Sequence, residues 1–228
     1  MDAIYSVLTE RARKAVRQLS QSEQRRAVIA LAGPPGSGKS TIAAKVVKNL
    51  NDQATRPFAV SVPMDGFHLS RATLDKLPNR DEAYARRGAP WTFDADGVLD
   101  LVQHLCTSRA LNIGTILAPS FDHVMKDPVK DAILIPEDFT LVILEGNYLL
   151  LDREPWRQIN ELVDDTWFVD VAPDLARERI AKRHIKSGIE LDWTSAIARA
   201  ESNDILNGAE IRKYLIKPCI TVQSVNVR

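Results

Sequence analysis

An α/β three-layer sandwich built on a central parallel sheet is the fold that this sequence predicts, and three observations predict it. Short apolar runs with strand character recur at residues 27–32, 58–64, 113–117, 139–144, 166–171 and 219–222, with helical stretches between them. Alternation of that kind buries parallel strands between two helical layers. A glycine-rich turn joins the first apolar run to a helical stretch, a junction in which glycine permits backbone angles closed to other residues. Finally, 45% of the 228 residues are hydrophobic, sufficient for a continuous core. Roughly one to two domains are expected at this length. The chain reads as one, residues 1–228, with an insertion.

In chain order, residues 1–22 place Ile4, Val7, Leu8, Ala12, Ala15 and Leu19 on one helical stripe, while Arg11, Arg13, Lys14 and Arg17 fall largely elsewhere. This segment predicts a surface helix packed beside the first strand, with no chemistry of its own. Asp2 and Glu10 argue against an organellar transit peptide. Residues 39–50 form an amphipathic helix through Ile42, Val46, Val47 and Leu50. Between 77 and 93, Pro78, Gly88 and Pro90 interleave with Arg80, Asp81, Glu82, Arg86 and Arg87, predicting a substrate-facing excursion within an insertion at 66–96. Further helices are expected at 95–108, 154–163, 174–187 and 193–206.

The turn itself reads Gly33-Pro34-Pro35-Gly36-Ser37-Gly38-Lys39-Ser40, then Thr41, and matches GxxxxGK[ST] in full. Its amides can converge on an anion, and the helix directs its positive end at the same point. Lys39 then reaches the β and γ phosphates of a nucleoside triphosphate, and Ser40 presents a hydroxyl to Mg²⁺.

Two more strand ends carry acids. Met64-Asp65-Gly66-Phe67-His68 closes the 58–64 run, and Leu144-Glu145-Gly146 closes the 139–144 run. Ligands bind at the carboxyl edge of an open α/β sheet. Asp65 is therefore placed to take a proton from an attacking hydroxyl or to hold Mg²⁺ through water, and Glu145 to orient metal-bound water. A solvated Asp-Gly turn and a capping carboxylate are the plainer readings of the two.

Charge and cysteine content narrow the partners. Thirty basic and thirty acidic residues balance, which disfavours nucleic acid and membrane surfaces and favours a small-molecule substrate. Cys106 and Cys219 have neither disulfide-framework nor metal-ligand spacing, so reduced thiols in the cytoplasm are expected. No apolar run reaches the roughly 18 residues of a bilayer span. A homodimer is possible, with no interface stripe to mark it.

Taken together, the segment 33–41, Met64-Asp65-Gly66-Phe67-His68, Pro119-Ser120-Phe121-Asp122-His123 and Leu144-Glu145-Gly146 resemble the P-loop kinases of the phosphoribulokinase, uridine kinase and bacterial-type pantothenate kinase superfamily. The resemblance covers most of the chain. It implies ATP and Mg²⁺, a small-molecule acceptor and Asp65 as the base toward its hydroxyl. The run Arg87-Gly88-Ala89-Pro90-Trp91-Thr92-Phe93-Asp94 resembles the family's acceptor segment, which implies that Arg87, Phe93 and Asp94 lie near the acceptor pocket with His68. His123, with Asp122 before it and Asp127 behind, resembles a segment of the substrate wall. Residues 174–207 resemble the family's lid and the helix after it, implying that Arg179 and Arg183 stabilise charge on the transferred group. The Asp-Gly-Phe-His form is closer to pantothenate- and sugar-kinase-like members than to uridine kinases, which usually carry Asp-x-Phe-Tyr.

A second class of function is an ATPase or regulatory nucleotide-binding protein without a small-molecule acceptor. Asp94-Ala95-Asp96-Gly97 matches the DxxG of GTPases superficially, but no guanine-reading NKxD accompanies it.

Overall fold

Residues 2–19, 25–107 and 114–226 are described by the structure, a computed structural model. In chain order they form α1 (Asp2–Gln18), β1 (Ala27–Ala32), α2 (Lys39–Asp52), β2 (Ala59–Pro63), α3 (Arg71–Leu74), α4 (Arg80–Ala85), α5 (Ala95–Thr107), β3 (Ile116–Asp122), β4 (Asp127–Ile135) and β5 (Leu141–Gly146). After these come α6 (Ile159–Leu162), β6 (Asp165–Val171), α7 (Pro173–Lys186), α8 (Trp193–Arg199), a π-helical turn (Ala200–Ile205), α9 (Leu206–Lys213) and β7 (Ile220–Ser224).

Five strands form the parallel sheet in the order β2-β5-β1-β6-β7. Both faces of its centre are buried, as the near-continuous apolar strands require. In β1, Val28, Ala30 and Ala32 pack into one apolar cluster with α5 and β5, and Ala27, Ile29 and Leu31 pack into another with α1 and α2. The first helix docks through most of its predicted stripe, burying Leu8, Ala12 and Ala15, whereas Val7 falls off the buried face and stays half exposed.

Polar links fasten α1 to the sheet. Two nitrogens of the Arg11 guanidinium donate to the two Asp165 carboxylate oxygens at 2.8–2.9 Å, and the Trp167 indole donates to the same carboxylate at 2.7 Å. Burial pushes the Asp165 carboxyl upward, but the Arg11 hydrogen bond and its companions outweigh this and hold it below the ordinary value of 3.8. A depressed carboxylate contributes stability above its unfolded value, and this contribution is lost as pH falls through the lower folded value. Asp165→Asn should therefore destabilise the chain by about 1–3 kcal/mol near neutrality. Thermal melts of the two proteins should converge as pH drops below about 4.

Several elements differ from the sequence expectation. The run at 113–117 does not supply a strand of the parallel sheet: from Ile116 the chain enters an antiparallel hairpin, β3–β4, separate from that sheet. Its partner strand β4 was not expected, and residues 108–113 lie outside the described set. The helix expected at 154–163 is a 3₁₀ turn, Trp156–Gln158, followed by the single turn α6. That at 193–206 is interrupted by the π turn and continues to Lys213. The sheet strand expected at 139–144 begins at Leu141 and ends at Gly146. Among the described residues no helix is long and apolar enough to cross a membrane.

Candidate active site

Three neighbouring strands of the sheet end together. Register pairs Ala32 with Gly146 and Pro63 with Glu145, so the carboxyl ends of β1, β5 and β2 lie side by side. From these three ends leave, respectively, the glycine-rich turn, Glu145-Gly146 and Met64-Asp65.

The turn wraps tightly around the start of α2. Gly36 and Gly38 have φ of +78° and +85°, which side-chain-bearing residues rarely adopt. A Cβ on Gly33 would lie 2.6 Å from the Val169 carbonyl oxygen, so this glycine permits the turn to graze β6. Pro34 and Pro35 are buried, and the Pro34 carbonyl accepts from the amide of Ser37, itself fully buried. Gly38 caps α2 in the left-handed conformation, and no side chain caps the first-turn amides. A helix start left open in this way is suited to an anion. Lys39, Ser40 and Thr41 form the first turn, and a cavity of about 340 Å³ opens over it.

Ionisable groups converge beneath the turn. The Lys39 ammonium is largely desolvated, which holds its pKa below that of an ordinary lysine, while the charges of Glu145 and Asp65 pull it back up. Glu145 is only 7% exposed. Burial raises its pKa above the ordinary range, opposed by Lys39 and by a hydrogen bond with Ser40, while the charge of Asp65 adds to the rise. Gly146 lets the strand ends come this close, since a Cβ there would meet the Met64 Cβ at 2.4 Å. The residues present suit a magnesium–triphosphate pair: free amides and a lysine for phosphate, and a hydroxyl beside a carboxylate for the metal. Among the described residues no dedicated cluster of metal ligands occurs. A cation shared between one or two protein groups and phosphate oxygens does not require such a cluster.

Beyond Asp65 the chain builds an aromatic wall. The imidazole of His68 lies 4.0 Å from the Phe93 ring and 4.8 Å from that of Phe121, and its Nδ1 is 2.8 Å from the Asp65 carbonyl oxygen. Desolvation lowers the His68 pKa, although the Asp65 charge opposes this, and so favours the neutral imidazole. Phe93 packs edge-on against Tyr148, whose hydroxyl donates to the Gly88 carbonyl at 2.6 Å. The hairpin reaches this wall because Gly66 has no side chain: a Cβ there would come within 2.2 Å of the Pro119 carbonyl oxygen. Arg87 ties wall to hairpin, donating to the Lys126 and Leu69 carbonyls and to Asp127 at 3.2 Å, with its guanidinium 5.6 Å from the Phe121 ring.

On the opposite side, α7 approaches the turn. Arg179 donates to the Gly36 carbonyl at 3.1 Å, the Ser224 hydroxyl at 2.8 Å and the Val225 carbonyl at 2.9 Å. Arg183 is more exposed and reaches Asp204 at 3.5 Å. Asp204 sits in the π turn, where burial raises its pKa against the pull of Arg183, and it also faces His184 at 3.4 Å. From the same turn Asn203 donates to the Arg87 carbonyl at 2.8 Å and receives Asn207 at 3.3 Å, while Arg86 grips Asn207 at 3.0 Å. The segment after α7 is thus bonded directly to the segment before the aromatic wall.

Of the residues singled out from sequence, Lys39, Ser40, Asp65 and Glu145 meet at the sheet edge, His68, Phe93 and Arg87 share the neighbouring wall, and Arg179 and Arg183 line the cavity over the turn. His123 is exposed and packs edge-on, at 5.4 Å, against the Phe121 ring, which itself lies 4.8 Å from His68. Its neighbour Asp122 caps the amides of Val124 and Met125 at the hairpin turn, and Asp127 receives the Arg71 amide. Asp94 is the cap of α5, accepting from Gly97 at 3.0 Å, which accounts for the DxxG pattern without a nucleotide. Tyr148, Ser224 and Tyr5 were not anticipated. Tyr148 follows Glu145-Gly146 by two residues and could have been flagged on that proximity; the other two enter only through tertiary packing.

The fold and the phosphate turn, with acids at the ends of two adjoining strands, define a P-loop kinase. The chain belongs to the phosphoribulokinase/uridine kinase family, whose sequence pattern matches residues 28–193. It is 40% identical over 205 residues to a Schizosaccharomyces pombe protein provisionally named uridine kinase C227.14, covering 90% of this chain and 86% of that one. It is 47% identical over 150 residues to the ATP-dependent kinase-like protein notR′ of Aspergillus versicolor, covering 66% and 87% respectively. Among solved structures, a protein from Silicibacter sp. TM1040 provisionally named a fructose transport system kinase superposes with a TM-score of 0.81 at 30% identity, covering 94% of this chain and 98% of that one.

Proposed function

We propose that this kinase transfers the γ-phosphoryl group of ATP to a hydroxyl of a small metabolite, with Asp65 as the base. The observation that carries the reading is the convergence of Lys39, Asp65 and Glu145, close enough for the charges of both acids to act on the lysine. A hydrolytic or regulatory nucleotide-binding protein needs the turn but has no use for the wall of His68, Phe93 and Phe121 beside Asp65.

In this reading the amides of Gly36 and of residues 38–40, with the Lys39 ammonium, hold the phosphate oxygens. Mg²⁺, held by Ser40 and Glu145, supplies neutralisation of phosphate charge when bound. The Asp65 carboxylate accepts the proton of the acceptor hydroxyl, and the aromatic wall with Arg87 excludes water and orients the acceptor. Phosphoryl transfer asks little covalent work of the protein, so positioning and electrostatics dominate. Arg183, exposed and held only by Asp204 at 3.5 Å among the described residues, supplies positive charge to the transferred group, and Arg179 keeps the turn in shape while lending its charge from α7. The Asn203–Arg87 bond passes any movement of this lid-like segment to the acceptor wall.

Relatives carry names that point to a nucleoside and to a sugar, so the acceptor is set by a screen. Purified protein is incubated with MgATP and a panel of nucleosides, sugars, pantothenate-like compounds and glycerate-like acids, and ADP release is followed. Release that depends on one acceptor class is expected; release at the same rate with and without any acceptor overturns the reading in favour of an ATPase.

A further inference from the structure

We infer that Tyr5, on the first helix, forms part of the binding surface for the nucleoside end of ATP, so that α1 completes the donor site. The inference rests on the kinase reading of the cavity above the glycine-rich turn.

That cavity of about 340 Å³ is lined by the turn and first residues of α2, by Arg179, Ile180 and Arg183 of α7, by Ser224 and Val225 at the end of β7, and by Tyr5. These walls differ in chemistry. The open amides, Lys39, Arg179 and Arg183 provide positive charge, which suits phosphates. A base and ribose are uncharged, and a base gains most from a flat apolar face. Tyr5 is the single aromatic side chain among the described lining residues.

Its position on the helix supports the assignment. Leu8 and Ala12, which continue the same stripe, are wholly buried, whereas Tyr5 packs on the edge of that cluster and keeps part of its surface open. The ring is therefore held from behind by α1–α2 packing and faces the cavity with what remains. Such a side chain brings a large contact area with little rotamer freedom left to lose on binding. Tyr5 also lies outside residues 28–193, the portion that matches the family pattern.

The test measures direct binding, without any acceptor, of MgATP and of magnesium tripolyphosphate to the whole chain by titration calorimetry. Tyr5→Ala is expected to weaken ATP about ten-fold and to leave tripolyphosphate within about two-fold, while Tyr5→Phe restores ATP affinity. Tyr5→Leu keeps apolar bulk against α2 and loses the aromatic face; it carries the same expectation should the alanine variant fold poorly. Equal weakening of both ligands overturns the proposal, because it marks a packing fault relayed through α2 to the turn. Unchanged ATP affinity in both variants overturns it as well. Acceptor-dependent turnover by the wild-type chain is measured separately. Its absence, with ATP binding intact, counts against the kinase reading and leaves the Tyr5 contact standing.

Discussion

Asp65→Asn is expected to lower acceptor-dependent phosphoryl transfer by about 10²–10⁴-fold, the usual contribution of a positioned general base, while MgATP still binds. The substitution preserves shape and removes the proton-accepting charge. It also removes one of the two acids whose charge acts on Lys39, so the lysine should titrate lower in the variant than in the wild-type chain. The measurement is single-turnover transfer at saturating acceptor alongside calorimetric ATP affinity. Near-normal transfer by the variant would sink the assignment of the base. A loss of ATP binding equal to the loss of transfer would move Asp65 from the acceptor side to the metal.

Lys39→Met should cost about 10²–10³-fold in turnover, the range seen when one preorganised donor to a developing anion is removed. It should weaken ATP as well, because the ammonium serves both ground and transition states. Its partner is affected too. Burial already raises the Glu145 pKa and Lys39 holds it back, so the variant should push that carboxyl higher still. Apparent Mg²⁺ affinity in Lys39→Met should then fall off at a higher pH than in the wild-type chain as the solution is acidified, since the metal needs the ionised carboxylate. An unchanged acid limb would show that the two groups do not communicate.

How much was legible differs sharply between the two halves of the site. The donor half was readable because its chemistry is local: left-handed glycines, a lysine and a hydroxyl must follow one another within a single turn, so the requirement is written in consecutive letters. Asp65 and Glu145 were readable because parallel strands buried on both faces are uniformly apolar, and an acid at such a strand's end stands out. The aromatic wall beside Asp65 was only half readable. His68, Phe93, Arg87 and the more exposed His123 surfaced through family resemblance, whereas the hairpin that carries Phe121 reads in sequence as a strand of the main sheet. β3 starts as an apolar run like the others, and its partner β4 is largely exposed, so no periodic apolar signal marks it. The π turn escaped because its sequence keeps helical character on both sides, and only the bonds of Asn203 and Asn207 to the segment at Arg86 and Arg87 reveal what the interruption positions.

The sequence by itself determined the α/β class, the triphosphate-binding turn and the two acids beside it, because each depends on contacts between near neighbours or on burial that stamps a strand throughout. Tertiary structure alone decided which strands adjoin, and with that the meeting of Lys39, Asp65 and Glu145. It alone brought the hairpin onto Gly66, the π turn onto Arg87 and the first helix, with Tyr5, to the lining of the cavity over the glycine-rich turn. Those contacts join residues tens to more than a hundred positions apart, and their partners are selected by shape and by satisfied hydrogen bonds in the packed interior, which no local pattern records.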